Sequence, residues 1–241
     1  MEIWGNTNVG VVRRQNQDAF ATMLDENRNV AVFIVCDGMG GAQAGNIASS
    51  MAADCFMESM RSSAAEGADF TAALFAAVAD ANSAVYGKSV GDESCAGMGT
   101  TLVAAAVTRE SCTVVNIGDS RAYRITGDAI YQVTKDHSVV EEMIDRGDIT
   151  RMEAKDHPKK NLITRALGTS ADELPDIFRP ELHEGDFLLL CSDGLSNIVE
   201  EREIFYEIAY CKDIREGCER LVGLALSRGA PDNVTAVLFR R

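Results

Sequence analysis

Three stretches of the chain share one hydrophobic pattern, an apolar, largely β-branched or leucine-rich run that ends in aspartate and then glycine or serine. They are Val30 to Gly38, Thr113 to Ser120 and Phe187 to Gly194. Runs of this length with almost no polar position offer no face to water, so they predict strands buried on both sides or nearly so. Thr101 to Val107, Arg121 to Ile125 and Val234 to Phe239 predict further strands. Only Gly118-Asp119-Ser120 separates the Thr113 run from the Arg121 run, which predicts a hairpin between them.

Elsewhere the period changes to that of a helix. Gly45 to Met60 carries Ile47, Met51, Cys55 and Phe56 on one stripe, and Phe70 to Tyr86 does the same with Leu74, Ala77, Val78 and Val85. Ser138 with Glu141, and Thr150 with Glu153, have the spacing of capping boxes. Glu200 to Tyr210 and Asp213 to Ser227 read as the last two helices, the second closed by Gly229 and Pro231. No repeat, low-complexity tract or linker interrupts the sequence. Strands and helices in one unbroken chain predict a layered α and β domain.

Charge narrows the function. Lys plus Arg is 23 and Asp plus Glu is 37, a net charge of −14 over 241 residues. The average field of such a chain repels phosphates, which excludes a general nucleic-acid binder. Any site that handles phosphate must overcome that field with cations or a local basic patch. Arg146 to Arg165 is such a patch, with Arg146, Arg151, Lys155, Lys159, Lys160 and Arg165 against Asp148, Glu153 and Asp156. It reads as a surface excursion, either a solvated mixed-charge loop or a substrate-recruiting one. No apolar run approaches the roughly 20 residues of a membrane-spanning helix. Met1 to Gly10 lacks a basic stretch followed by an apolar core. Seven cysteines, an odd number with no CxxC pair, fit reduced thiols in a cytoplasmic protein.

Aspartates carry the candidate chemistry. One aspartate after a strand is an ordinary turn residue. Here the pattern recurs at Asp37, Asp119 and Asp193, and Asp232 precedes the last strand. If the strands share sheets, these carboxylates come close together, and two of them about 4 Å apart repel by roughly 4 kcal/mol at an effective dielectric of 20. Such a cluster needs protons or hard cations. Oxygen donors select Mg²⁺, Mn²⁺ or Ca²⁺, while zinc is disfavoured because only His137, His157 and His183 are present, without ligand-pair spacing. Two divalent ions so held generate a hydroxide and stabilise in-line displacement at phosphorus.

Rival motifs are weaker. Gly38 to Gly45 follows a strand as a dinucleotide turn would, but its glycine spacing is wrong and Asp37 would face the pyrophosphate. Cys55 and Arg61 have the spacing of a cysteine-phosphatase loop, yet no glycine lies between them and the segment is helical. Asp145-Arg146-Gly147 has no accompanying histidine ligands and reads as a helix end. Ser120 and Ser192 lack a nucleophile elbow.

Six motifs occur in order: Gly10-Val-Val-Arg13-Arg-Gln-Asn16-Gln17-Asp18, Asp37-Gly-Met-Gly-Gly41, Gly97-Met-Gly-Thr-Thr101, Gly118-Asp-Ser-Arg121, Ser192-Asp-Gly-Leu195 and Pro231-Asp-Asn-Val-Thr235. Together they resemble the metal-dependent protein phosphatase family of the protein phosphatase 2C type, in its compact bacterial form. The resemblance implies an α+β fold, a four-layer α-β-β-α sandwich with two central antiparallel sheets, in a single catalytic domain over residues 1–241 with a flap-like excursion at about 145–170. It implies two Mn²⁺ or Mg²⁺ ions, with Asp37 bridging both, the Gly38 carbonyl on the second, and Asp193 and Asp232 on the first. Asp18 would hold metal-bound waters, Asp119 with Asp193 would form a weaker third site, and Arg13 would clamp the substrate phosphate. A metal-bridging hydroxide would attack phosphoserine or phosphothreonine directly, without a phosphoenzyme. Three ligand aspartates supply −3 against +4 from two ions, leaving a slightly positive site.

Two positions depart from the pattern. Gln17 stands where many relatives have glutamate, which points to weaker metal affinity. Met39 replaces a histidine of eukaryotic relatives, so the leaving-group acid is water or a histidine from elsewhere, with His157 as the candidate. His137 reads as a structural residue at a helix start, and His183 as a surface one. The expected partners are phosphorylated proteins and a cognate Ser/Thr kinase, for a monomeric, cytoplasmic signalling enzyme without membrane or nucleic-acid contacts. The alternative is an inactive phosphatase-like scaffold that binds phosphoproteins.

Overall fold

The structure is a computed structural model that describes residues 1–66 and 69–241. The strands are β1 (Glu2–Asn8), β2 (Asp18–Asp25), β3 (Val30–Met39), β4 (Gly99–Thr100), β5 (Leu102–Val107), β6 (Cys112–Ile117), β7 (Arg121–Ile125), β8 (Ile130–Gln132), β9 (Asp176–Phe178), β10 (Phe187–Cys191) and β11 (Val234–Arg240). The helices are α1 (Gly41–Glu66), α2 (Phe70–Gly91), α3 (Val139–Asp145), α4 (Arg151–Lys155), α5 (Asp193–Ser196), α6 (Glu201–Ala209) and α7 (Ile214–Ser227).

Two antiparallel sheets face each other. One runs β1-β11-β10-β7-β8, the other β2-β3-β5-β6-β9 with β4 beside β3. Their inner faces meet in a core where Phe33 and Phe239 stack with ring centroids 5.5 Å apart. The outer face of the second sheet is covered by α1 and α2, and that of the first by α6 and α7. Sandwiched strands are therefore buried on both sides, as the unbroken apolar runs require: Leu188, Leu189, Leu190 and Cys191 are all inaccessible to solvent. The result is the expected α-β-β-α sandwich.

The predicted hairpin between the Thr113 and Arg121 runs does not form. β6 pairs with β5 and β9, whereas β7 pairs with β10 and β8, in the other sheet. Gly118-Asp119-Ser120 is a crossing between sheets. Gly118 adopts φ +105°, and a Cβ there would press on the Thr101 side chain at 2.6 Å, so only glycine fits the crossing. Burial on both faces marks a strand without saying which sheet it joins.

The buried stripe of α1 also differs from the expected one. Ala44, Ala48, Ala52, Phe56 and Met60 face the core, while Ile47 is 37% exposed. Of the expected stripe, Phe56 is buried and Met51 and Cys55 pack against the core, and the alanines beside them let the helix lie close to the sheet. In α2 the predicted Leu74, Ala77, Val78 and Val85 are all buried. Thr150 and Glu153 form the full capping box. Ser138 accepts from the Glu141 N–H, but the Glu141 carboxylate turns to Arg151 instead of completing the box.

Candidate active site

Three loops converge at one end of the sandwich because glycines let their backbones touch. Asp37 lies at the end of β3, Asp193 opens α5 directly after β10, and Asp232 sits just before β11. A Cβ on Gly38 would collide with the Gly45 carbonyl, one on Gly194 with the Asn233 carbonyl, and one on Gly10, at φ +78°, with the Asp232 carbonyl. Each glycine thus places an aspartate-bearing loop against its neighbour.

Side chains fix the approach. The Asp37 N–H donates to Thr101 Oγ1 at 2.9 Å, and the Asp37 carbonyl accepts from Thr100 Oγ1 at 2.9 Å and Thr101 N–H at 2.8 Å. Asn233 is buried and joins two loops: its Nδ2 donates to the Val9 and Gln15 carbonyls at 2.9 and 3.0 Å, and its Oδ1 accepts from the Gln17 N–H at 2.8 Å. It thereby binds the segment that carries Arg13 to the loop that carries Asp232. Buried Asp18 accepts from Ser192 Oγ and Thr235 Oγ1 at 2.8 and 2.6 Å on one oxygen, while its other oxygen has no partner.

The loops enclose a cleft of about 600 Å³ whose lining includes Arg13, Asp37, Gly38, Asp119, Asp193 and Asp232. All the sequence-predicted site residues except Asp18 are in that lining, and Asp18 stands directly behind it, paired in register with Asp37 across β2 and β3. The Arg13 guanidinium is half exposed and pairs with Asp232 at 2.7 Å. Gln17 presents a neutral amide whose Nε2 donates to the Gly41 carbonyl at 3.1 Å. Asn233, Thr101, Ser192 and Thr235 were not singled out as positioning residues, although all lie inside the motifs. Asn233 and Ser192 flank aspartates in the sequence, whereas Thr101 and Thr235 carry no local signal beyond their motifs.

The electrostatics are those of crowded like charges. Burial raises the Asp37 carboxyl well above the ordinary range, and Asp18, Asp193, Asp119 and Asp232 raise it further. Burial pushes Asp119 up to about 7, helped by Asp193 and Asp136. Asp18 reaches about 7 by burial, against the opposing hydrogen bonds from Thr235 and Ser192. Asp193 is raised by burial and by Asp232, while a hydrogen bond with Asp37 pulls it down. Arg13 is raised, chiefly by its hydrogen bond to Asp232. Such an arrangement disfavours bare carboxylates and favours a cation or proton between them.

The donors fit a hard divalent ion. Neither thiol nor imidazole lines the cleft, and the carboxylates and the Gly38 backbone are oxygen donors. Among the described residues, no group of three or more His, Cys, Asp or Glu is already drawn together as a metal cage. Ions of this kind complete their shells with water and substrate oxygens, so a full protein cage is not required.

The histidines stand apart. His157 does not line the cleft, and its Nδ1 accepts from the Lys159 N–H. His137 is buried, accepts from the Gly118 N–H on Nδ1 and faces Arg165 and Asp176 through Nε2, the structural role expected of it. His183 is exposed.

Comparisons place this geometry. The chain is 34% identical over 237 residues to the serine/threonine phosphatase stp of Listeria monocytogenes, covering 98% of this chain and 94% of that one. The crystal structure of the Mycobacterium tuberculosis serine/threonine phosphatase PstP/Ppp superposes with a TM-score of 0.89 at 35% identity, covering 98% and 97% of the two chains. The PstP catalytic domain in complex with two manganese ions gives 0.85 at 34% identity, covering 98% and 96%. The sequence pattern of protein phosphatase 2C matches residues 12–221. Converging aspartate loops, a layered sandwich and this match together place the chain in the protein phosphatase 2C family.

Proposed function

We propose that this chain is a metal-dependent protein serine/threonine phosphatase that hydrolyses phosphoserine and phosphothreonine in the cleft between its aspartate loops. Residues 1–241 form one catalytic domain, with a flap-like excursion at about 145–170. The observation that carries this reading is the set of mutually destabilised carboxylates beside an exposed guanidinium. Asp37, the Gly38 carbonyl, Asp193 and Asp232 would hold two Mn²⁺ or Mg²⁺ ions. Asp18 orders water behind them through its unpartnered oxygen, and Asp119 with Asp193 offers a weaker third position. When bound, the ions supply positive charge and an activated water for direct attack at phosphorus.

The protein's own part is positioning. Thr100 and Thr101 fix the Asp37 backbone, and Asn233 fixes Arg13's loop relative to Asp232. In the cleft Arg13 pairs its charge with Asp232. With a cation held at Asp232, the planar guanidinium would be free to grip two phosphate oxygens. No histidine lines the cleft, so the leaving oxygen takes its proton from water.

None of the described helices is long and apolar enough to cross a membrane. We place the enzyme in the cytoplasm as a monomer opposing a Ser/Thr kinase. The test is turnover of a phosphothreonine peptide with Mn²⁺ or Mg²⁺, with and without chelator. Chelator-sensitive release of phosphate supports the reading, and tight binding without turnover would favour a phosphoprotein-binding scaffold.

A further inference from the structure

We propose that the mouth of the cleft reads negative charge flanking the phosphorylated residue, through Arg14 and the Lys159–Lys160 turn, so that preferred substrates are phosphoproteins with acidic neighbours at the site. This rests on the phosphatase reading above and adds a substrate class to it. Arg13 and Arg14 are adjacent and both line the cleft, yet only Arg13 is ion-paired. Arg14 is exposed and makes no ion pair among the described residues. Arg121 takes Asp136, Arg124 takes Asp186 and Arg228 takes Glu203, whereas Arg14 lines the cleft without such a pair. Left unpaired in the cleft, Arg14 holds no part of the fold together.

The basic excursion divides in the same way. Arg146, Arg151, Lys155 and Arg165 pair with Asp148, Glu141, Glu200 and Glu173. Lys159 and Lys160 are exposed and make no ion pair among the described residues; the Lys160 ammonium reaches only the Lys155 carbonyl. They immediately precede Asn161, which lines the cleft. The segment is seated on the body, since the Val139 N–H donates to the Leu162 carbonyl and the Thr164 N–H to the His137 carbonyl. Arg14 thus lines the cleft, and the Lys159–Lys160 turn adjoins its lining at Asn161, from a separate part of a chain of net charge −14. The chemistry that matches them is a carboxylate or second phosphate on substrate side chains beside the scissile group.

The experiment uses two phosphothreonine peptides that differ only in glutamate or lysine flanks, with p-nitrophenyl phosphate as a flank-free ester, all with Mn²⁺. Exposed charge contacts contribute about two- to fivefold each. The expected result is a kcat/KM ratio of about tenfold for the glutamate peptide, fading at high salt. Arg14→Gln should bring that ratio down to about threefold, Lys159→Gln with Lys160→Gln should lower it as well, and Arg14→Lys should keep most of it. Equal rates for the two peptides in wild type, with the small ester still cleaved, would overturn the inference and leave the phosphatase reading standing. An equal loss on both peptides in Arg14→Gln would also overturn it, because Arg14 would then serve the phosphate itself. No chelator-sensitive turnover of any substrate would remove the phosphatase reading and this inference with it.

Discussion

The aspartate cleft and the basic excursion beside it are held by opposite means. In the cleft, like charges are crowded and only partly exposed, and the backbones that carry them are locked by threonine, serine and asparagine side chains and by glycine-tight contacts. In the excursion, opposite charges pair at the surface: Lys155 with Glu200, Arg146 with Asp148. The cleft has rigid geometry and unfavourable electrostatics; the excursion has favourable electrostatics and few buried anchors. Unfavourable charge held by an over-determined backbone is the mark of a site awaiting a ligand. Ordinary surface pairing is the mark of a segment that only has to stay in place.

The sharpest way to break this contrast is Asp37→Asn, or Asp193→Asn. Either should cut metal-supported turnover by about a thousandfold or more while the far-ultraviolet dichroism stays unchanged. Without metal, each variant should melt no lower than wild type, because one member of a repelling cluster is gone. Near-normal turnover in either variant would end the two-ion reading.

Gly194→Ala attacks the backbone instead of the charge. The new Cβ would overlap the Asn233 carbonyl, so the Asp193 and Asp232 loops must part. A displacement of this kind should cost roughly a hundredfold in kcat/KM. It should also lower the melting temperature by several degrees, as about 1–3 kcal/mol of overpacking does in a domain of this size. An unchanged rate would show that the close approach has no part in placing the ligands.

Metal removal tests the electrostatic half alone. An ion at a hundred times its dissociation constant stabilises by about 2.7 kcal/mol, so chelation should lower the melting temperature by roughly 5–10 °C. The metal-free protein should respond to pH in an unusual direction. Asp18 and Asp119 titrate at about 7 when folded, above their unfolded values near 3.8. Their charged forms weaken the folded state above that pH, and the penalty is relieved as pH falls through about 7. Chelated protein should therefore melt higher at pH 6 than at pH 8, read by scanning calorimetry. The opposite slope would mean that the carboxylates are not crowded.

How much of this was legible in the sequence follows from the same contrast. Asp37, Asp119 and Asp193 stood out because each ends a strand whose apolar run is unmistakable. The motif order carried the resemblance, and with it the sandwich. What stayed hidden depends on tertiary pairing. Two doubly buried strands on either side of Gly118 look alike whichever sheet they join, so a hairpin was expected where the chain crosses between sheets. The core face of α1 is built from Ala44, Ala48 and Ala52, whose small size is the reason it packs closely and the reason it escapes notice. β1 and β2 were missed because most of their residues are only half buried, without a clean alternation. Asn233 looked like an ordinary loop residue, since nothing local shows that its amide reaches Val9 and Gln15.

On the excursion side the expected effect is the smallest. Lys155 pairs with Glu200 at 4.0 Å, and the two side chains are 71% and 52% exposed. At that exposure water and salt already screen the pair, and holding two long side chains in register costs entropy, so the net contribution is about 0–0.5 kcal/mol. Lys155→Ala should shift the melting temperature by no more than about 2 °C and leave metal affinity unchanged. Arg151→Ala gives the internal control, because Glu141 is nearly buried and would lose its cation. It should cost more, about 1–2 kcal/mol. If Lys155→Ala proved as damaging as Gly194→Ala, the excursion would be holding the cleft together, and the division between a locked site and a loosely paired border would fail.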